Sequence, residues 1–200
     1  MIVLAALCAA YLIGSIPTGL LVGRLRGVDI RKVGSGNVGA TNVARMVGKL
    51  PGLLVLIVDI AKGYLPATFL ASKAAALGAA WPVENLRLLM GVAAVAGHIW
   101  NPFLQFKGGK GVATGLGVLL GLDARVGLGS LAVWLAVAFA TRYVSIASIS
   151  AAVASCFLMA FLGHSALWVW GAIAVALAIL WRHRSNMLRL LQREEPKIPR

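Results

Sequence analysis

Long apolar runs alternate with short polar ones along the 200 residues. Ile2 to Gly23 is apolar and closed by Arg24 and Arg26, a length that crosses a bilayer core as a helix. Pro17, after Gly14-Ser15-Ile16, predicts a kink in it. Leu50 to Leu70 reads as a second span and Leu88 to Trp100 as a shorter third. Val112 to Ala140 is about 29 residues, too few for two full spans of about 20 each. Asp123-Ala124-Arg125 interrupts it, so the pattern predicts two short helices joined by a turn at Gly121–Arg125. The rival, one long tilted span, would bury Asp123 and Arg125. Ile146 to Leu162 and Ala166 to Trp181 complete the set, the last with Trp168, Trp170 and Trp181 placed for the membrane interfaces. Seven spans result.

Composition supports a membrane protein. Hydrophobic residues make up 60% and charged residues 12%, against about 25% charged in soluble domains. The period-two alternation of a β-barrel is absent. The expectation is an all-α integral membrane protein, a compact seven-helix bundle forming a single domain over residues 1–200. No Lys or Arg precedes the first run and no cleavage site follows it, so it reads as a retained span and not a signal peptide. Cys8 and Cys156 sit in apolar segments without metal-like spacing and read as packing residues.

The formal charge is +13. The aromatics lie inside apolar runs, so the charge points to topology and anionic ligands and away from nucleic acid. Seven crossings put Arg24, Arg26, Arg31, Lys32, Arg45, Lys49, Lys107, Lys110, Arg142, Arg182, Arg184, Arg189, Arg193, Lys197 and Arg200 on one face. Only Lys73, Arg87 and Arg125 fall on the other. Positive residues mark the cytoplasmic side, so the N-terminus is expected outside and the C-terminus inside. With one fused span, the later polar segments would move outside, against that rule.

Two polar islands carry the candidate chemistry. The first, Val33 to Arg45, holds Gly34, Ser35, Gly36, Asn37, Gly39, Thr41, Asn42 and Arg45. Glycines let backbone N–H groups approach an anion closely. Thr41 or Asn42 is placed to cap a following helix, and Arg45 can grip two phosphate oxygens. No Gly-Lys-Ser/Thr closes the string, so it is not a Walker A loop. The second island, Gly97 to Thr114, holds His98, Lys107, Gly108, Gly109, Lys110 and Gly111. Lys107 and Lys110 also suit interfacial anchors, and His98 a packed histidine. Ser145 follows Arg142, and His183 and Asn186 follow the last span. The sequence offers no acidic cluster for a divalent metal and no carboxylate beside a histidine for a hydrolase triad. Asp59 and Lys62, three apart inside the second span, are expected to pair on one helix face, as a structural ion pair or as support for a site.

These strings resemble the bacterial acyl-phosphate-dependent glycerol-3-phosphate acyltransferase family. The likeness rests on Gly34 to Asn42 with Arg45, Gly97-His98 with Phe103 to Thr114, His183 to Asn186 with Arg189, and Gly14 to Gly19. It implies a metal-independent enzyme without cofactor, multi-pass in the bacterial inner membrane, with its site facing the cytoplasm. The implied reaction moves an acyl group from acyl phosphate to the 1-hydroxyl of sn-glycerol 3-phosphate, giving lysophosphatidic acid and phosphate. The donor would come from a soluble partner enzyme. Site residues follow by resemblance: Ser35, Thr41, Asn42 and Arg45 as phosphate contacts within the first island, Lys107 to Gly111 as a second phosphate-binding loop, and Ser145, His183 and Asn186 as further site groups. Either the donor phosphate or His183 is then the base. A transporter of phosphorylated anions would use similar turns, but the polar residues crowd one face and suggest no path across.

Overall fold

The computed structural model describes residues 1–198, so Arg200 lies outside the described residues. All regular elements among the described residues are helical. The first apolar run is two helices, α1 (Ile2–Gly14) and α2 (Thr18–Leu25). Proline cannot donate to a helical ladder, and the chain breaks at Ser15–Pro17, where a kink was expected. Then come α3 (Ala40–Met46) and α4 (Lys49–Leu65), which continues through a widened turn at Pro66–Leu70 into α5 (Ala71–Ala76). Next are α6 (Val83–Ile99), α7 (Val112–Leu122), α8 (Ala124–Thr141), α9 (Val144–Phe161), α10 (Ala166–Arg182) and α11 (Arg184–Leu191).

Four stretches are long and apolar enough to cross a membrane: Ile2–Leu25, Lys49–Ala76, Ala124–Thr141 and Val144–Phe161. The pair α10 and α11, bent by 52°, makes a fifth when taken as one span. The two remaining expected spans are the 17-residue α6 and the 11-residue α7. The break between α7 and α8 falls at Asp123, inside the turn expected from the sequence, and the single fused helix is excluded. Asp123 caps α8 by accepting from Arg125 N at 2.8 Å.

The chain forms two compact units, Met1–Leu122 and Asp123–Arg200. In the first, glycines let helices touch at backbone distance. A Cβ on Gly14 would fall 2.0 Å from Ala94 O, joining α1 to α6, and one on Gly63 would fall 2.1 Å from Thr114 O, joining α4 to α7. One buried cluster joins Ala6 and Ala10 to Ala71, Leu86 and Met90; another joins Leu20, Ile30, Val38, Val43, Val55 and Leu104. In the second unit α9 packs on both α8 and α10. Asp123 there also meets His164 at 3.0 Å, and His164 stacks on Trp168. Phe139, Phe157 and Phe161 face outward from this unit, an arrangement suited to hydrocarbon as solvent.

Candidate active site

The first island is a loop wound around one side chain. Asn42, buried in the first turn of α3, accepts from Ser35 N at 3.0 Å through Oδ1. Its Nδ2 lies 3.2, 3.1 and 3.0 Å from the carbonyls of Ile30, Val33 and Asn37. Gly34 and Gly36 adopt positive φ, and a Cβ at Gly34 would strike Asn42 Oδ1 at 2.3 Å, so the tight wrap needs glycine. Asn37 Oδ1 accepts from Gly39 N at 2.8 Å. The expectation that Thr41 or Asn42 caps the helix is corrected. Gly39 is the cap residue without a side-chain bond, and both expected residues lie inside α3. Asn42's amide is spent on the loop's own backbone, which makes it a clamp of the turn. Ser35, Thr41 and Arg45 are exposed. Upstream, Asp29 holds Arg31 at 2.7 Å, and the guanidinium's hydrogen bond keeps the Asp29 carboxyl well below the usual carboxylate range.

The second island is pinned beneath its glycines. Gly108 N donates to Ile99 O and Gly109 N to His98 O, both at 3.0 Å. A Cβ at Gly108 would fall 2.0 Å from His98 O, and one at Gly109 2.1 Å from His98 Nε2. Both glycines are therefore required by close approach, while Gly111 is required by its φ of 86°. Gly108, Gly109 and Gly111 are buried, Lys110 is half-buried and Lys107 is exposed. Leu104 of this island shares a buried cluster with Val38 and Val43 of the first. The first unit thus brings both glycine turns onto one core.

The second unit gathers the other candidates. His183, buried between α10 and α11, places Nδ1 2.8 Å from Ile179 O. A carbonyl only accepts, so Nδ1 carries a proton and the ring is fixed in orientation. Asn186, buried one turn on, donates to Glu195 Oε1 at 2.6 Å, and Arg189 Nε donates to Oε2 at 2.8 Å. Burial disfavours the Glu195 carboxylate, but the hydrogen bonds from Asn186 and Arg189 outweigh this and lower its pKa. Asn186 and Arg189 therefore meet at one carboxylate.

Glu195, expected in the charged tail, is the carboxylate that Asn186 and Arg189 hold. The tail returns because α11 ends in a turn with Arg193 at φ 61°. Glu194 N bonds Arg189 O and Arg193 N bonds Leu190 O, the paired pattern of a left-handed helix stop. Lys197 then lies over the Tyr143 ring, and Ile198 N donates to Arg142 O at 2.8 Å. Arg142 Nε and Nη2 donate back to Ile198 O at 3.0 and 2.6 Å. Among the described residues no three His, Cys, Asp or Glu side chains gather as a metal site.

A family profile described as glycerol-3-phosphate acyltransferase matches residues 4–193. The chain belongs to the glycerol-3-phosphate acyltransferase family. A glycerol-3-phosphate acyltransferase from Synechococcus sp. (strain CC9902) is 47% identical over 98% of this chain and 94% of its own length. One from Rubrobacter xylanophilus is 46% identical over 94% and 90%. The crystal structure of PlsY (YgiH), an integral membrane glycerol 3-phosphate acyltransferase, in its glycerol 3-phosphate form superposes with TM-score 0.90 at 41% identity. It covers 98% of this chain and 96% of that one. The lysophosphatidic acid form gives TM-score 0.88 at 40% identity. Every candidate residue from Gly34 to Asn186 lies within the acyltransferase match, and Glu195 lies just past its end.

Proposed function

We propose that this chain transfers a fatty acyl group from acyl phosphate to the 1-hydroxyl of sn-glycerol 3-phosphate, releasing lysophosphatidic acid and inorganic phosphate. It does so as one enzyme spanning a bacterial inner membrane seven times, N-terminus outside, C-terminus and site in the cytoplasm. A soluble enzyme that makes acyl phosphate is its functional partner. The observation that carries this reading is the seating of both glycine turns on one core, with Ser35, Arg45, Lys107 and Lys110 on them. Turns wound this tightly on their own backbone hold cations and a hydroxyl in place for phosphate without a metal.

The donor is a mixed anhydride, so it arrives activated. The glycerol hydroxyl oxygen attacks the acyl carbonyl carbon, the bond from that carbon to the phosphate oxygen breaks, and phosphate departs with the bonding pair. The protein's share is to position the two reactants and neutralise the departing charge. Ser35, Arg45, Lys107 and Lys110 take the phosphates, and Ser145, His183 and Asn186 are assigned to the reaction by their resemblance to the family's motifs. The hydroxyl proton goes to the departing phosphate. A second reading routes it through His183, whose ring the Nδ1 bond to Ile179 O holds in one orientation.

The test is the purified protein in lipid nanodiscs with glycerol 3-phosphate and palmitoyl phosphate. Equimolar lysophosphatidic acid and phosphate are expected. Acylation from palmitoyl-coenzyme A with none from palmitoyl phosphate overturns the donor assignment.

A further inference from the structure

Asp59 and Lys62 form a nearly sealed ion pair within the second span. Lys62 Nζ lies 2.7 Å from Asp59 Oδ1, and the two side chains are 4% and 3% exposed. A buried pair of this kind is weak evidence for stability, because desolvation offsets much of the attraction. What the pair touches distinguishes it. Lys62 Nζ also donates to Ile16 O at 3.0 Å. That carbonyl lies in the break between α1 and α2, and the neighbouring one, Ser15 O, accepts from Asn101 Nδ2 at 2.6 Å. The break is therefore held from one side by α4 and from the other by the start of the second island.

The break in turn carries the first island. A Cβ on Gly19, three residues past Ile16, would fall 1.8 Å from Val38 O, so α2 presses backbone to backbone on the loop between Gly36 and Gly39. Ile16, Val38, Asp59, Lys62, His98 and Asn101 line one small polar cavity beneath both islands. His98 at that cavity is the same ring on which Gly109 rests.

We infer that Lys62, oriented by Asp59, is a positioning residue for phosphate binding: its bond to Ile16 O fixes the break in the first span and through it the first glycine turn. This inference rests on the glycerol 3-phosphate site proposed above.

The test compares two charge-neutral double variants, which avoid stranding either ion. Asp59→Asn/Lys62→Met has no donor for Ile16 O, whereas Asp59→Asn/Lys62→Gln keeps one. Both are expected to melt near the wild-type temperature. The Met variant should raise the KM for glycerol 3-phosphate about tenfold or more with kcat within about threefold, and the Gln variant should recover most of that rise. Equal KM in both variants and wild type overturns the inference and leaves the pair a structural plug. If neither double variant accumulates, Asp59→Asn alone keeps the Lys62 donor. A KM within about threefold of wild type then supports the inference, and an unchanged kcat with KM raised about tenfold overturns it. Wild-type protein inactive on glycerol 3-phosphate in the same assay would instead sink the site proposal itself.

Discussion

Asn42 and Ser35 are joined across the first glycine turn, the Ser35 N–H donating to Asn42 Oδ1 at 3.0 Å while the amide nitrogen faces three backbone carbonyls. Asn42→Asp would turn a carboxylate oxygen toward those carbonyls. Leaving buried partners unmatched costs about 1–3 kcal/mol per group. A lower melting temperature is expected, with kcat/KM reduced about 100-fold as Ser35 loses its place. A variant as active as wild type would show that the clamp does not matter.

Gly108→Ala should fail for a different reason. The added methyl would collide with His98 O, a backbone atom with little freedom to yield. The second turn must open, and the KM for glycerol 3-phosphate should rise about tenfold or more. Gly78→Ala is the control for handling and assay: that glycine has nothing within 4 Å of a built Cβ, though its φ of 89° makes alanine strained there. Steady-state kinetics on both variants decide whether crowding at His98 is what counts.

His183→Ala separates the two proton routes. With the departing phosphate as acceptor, kcat falls but the shape of the pH–rate profile is kept. With His183 as base, activity drops about 10²–10⁴-fold and the limb belonging to the imidazole disappears.

The tail carboxylate makes stability depend on pH. The Glu195 pKa is lowered in the fold, so it contributes stability that is present above the ordinary carboxylate range, about 4.3. That contribution is lost as pH falls through the lowered folded value. The melting temperature of wild type should exceed that of Glu195→Gln at neutral pH, and the gap should close on acidification. A gap that stays constant with pH would remove the charge from the account.

Much of this was legible along the chain, for local reasons. Pro17 and the Asp123 turn announce themselves because a missing N–H and a polar interruption act on their own segment. The Asp59–Lys62 pairing follows from helical spacing, but its hold on Ile16 does not, because that carbonyl is freed only by a break forty-odd positions earlier. Helix α6 begins at Val83, before the expected Leu88, because Glu84 and Arg87 occupy its first turns without ending it. Glu195 escaped because nothing about Arg193 signals a left-handed turn that sends the tail back. Asn42 looked like a ligand contact, since an amide inside a glycine-rich string has the same composition whether it grips backbone or phosphate.

The return of the tail bears on how the protein is handled. Glu195, Lys197 and Ile198 each contact α11 or the α8–α9 joint, so an affinity handle fused directly after them pulls on three anchors at once. Purification handles belong ahead of Met1, whose side chain is fully exposed, and trimming the last eight or so residues as a dispensable appendage would detach the partner of Asn186 and Arg189.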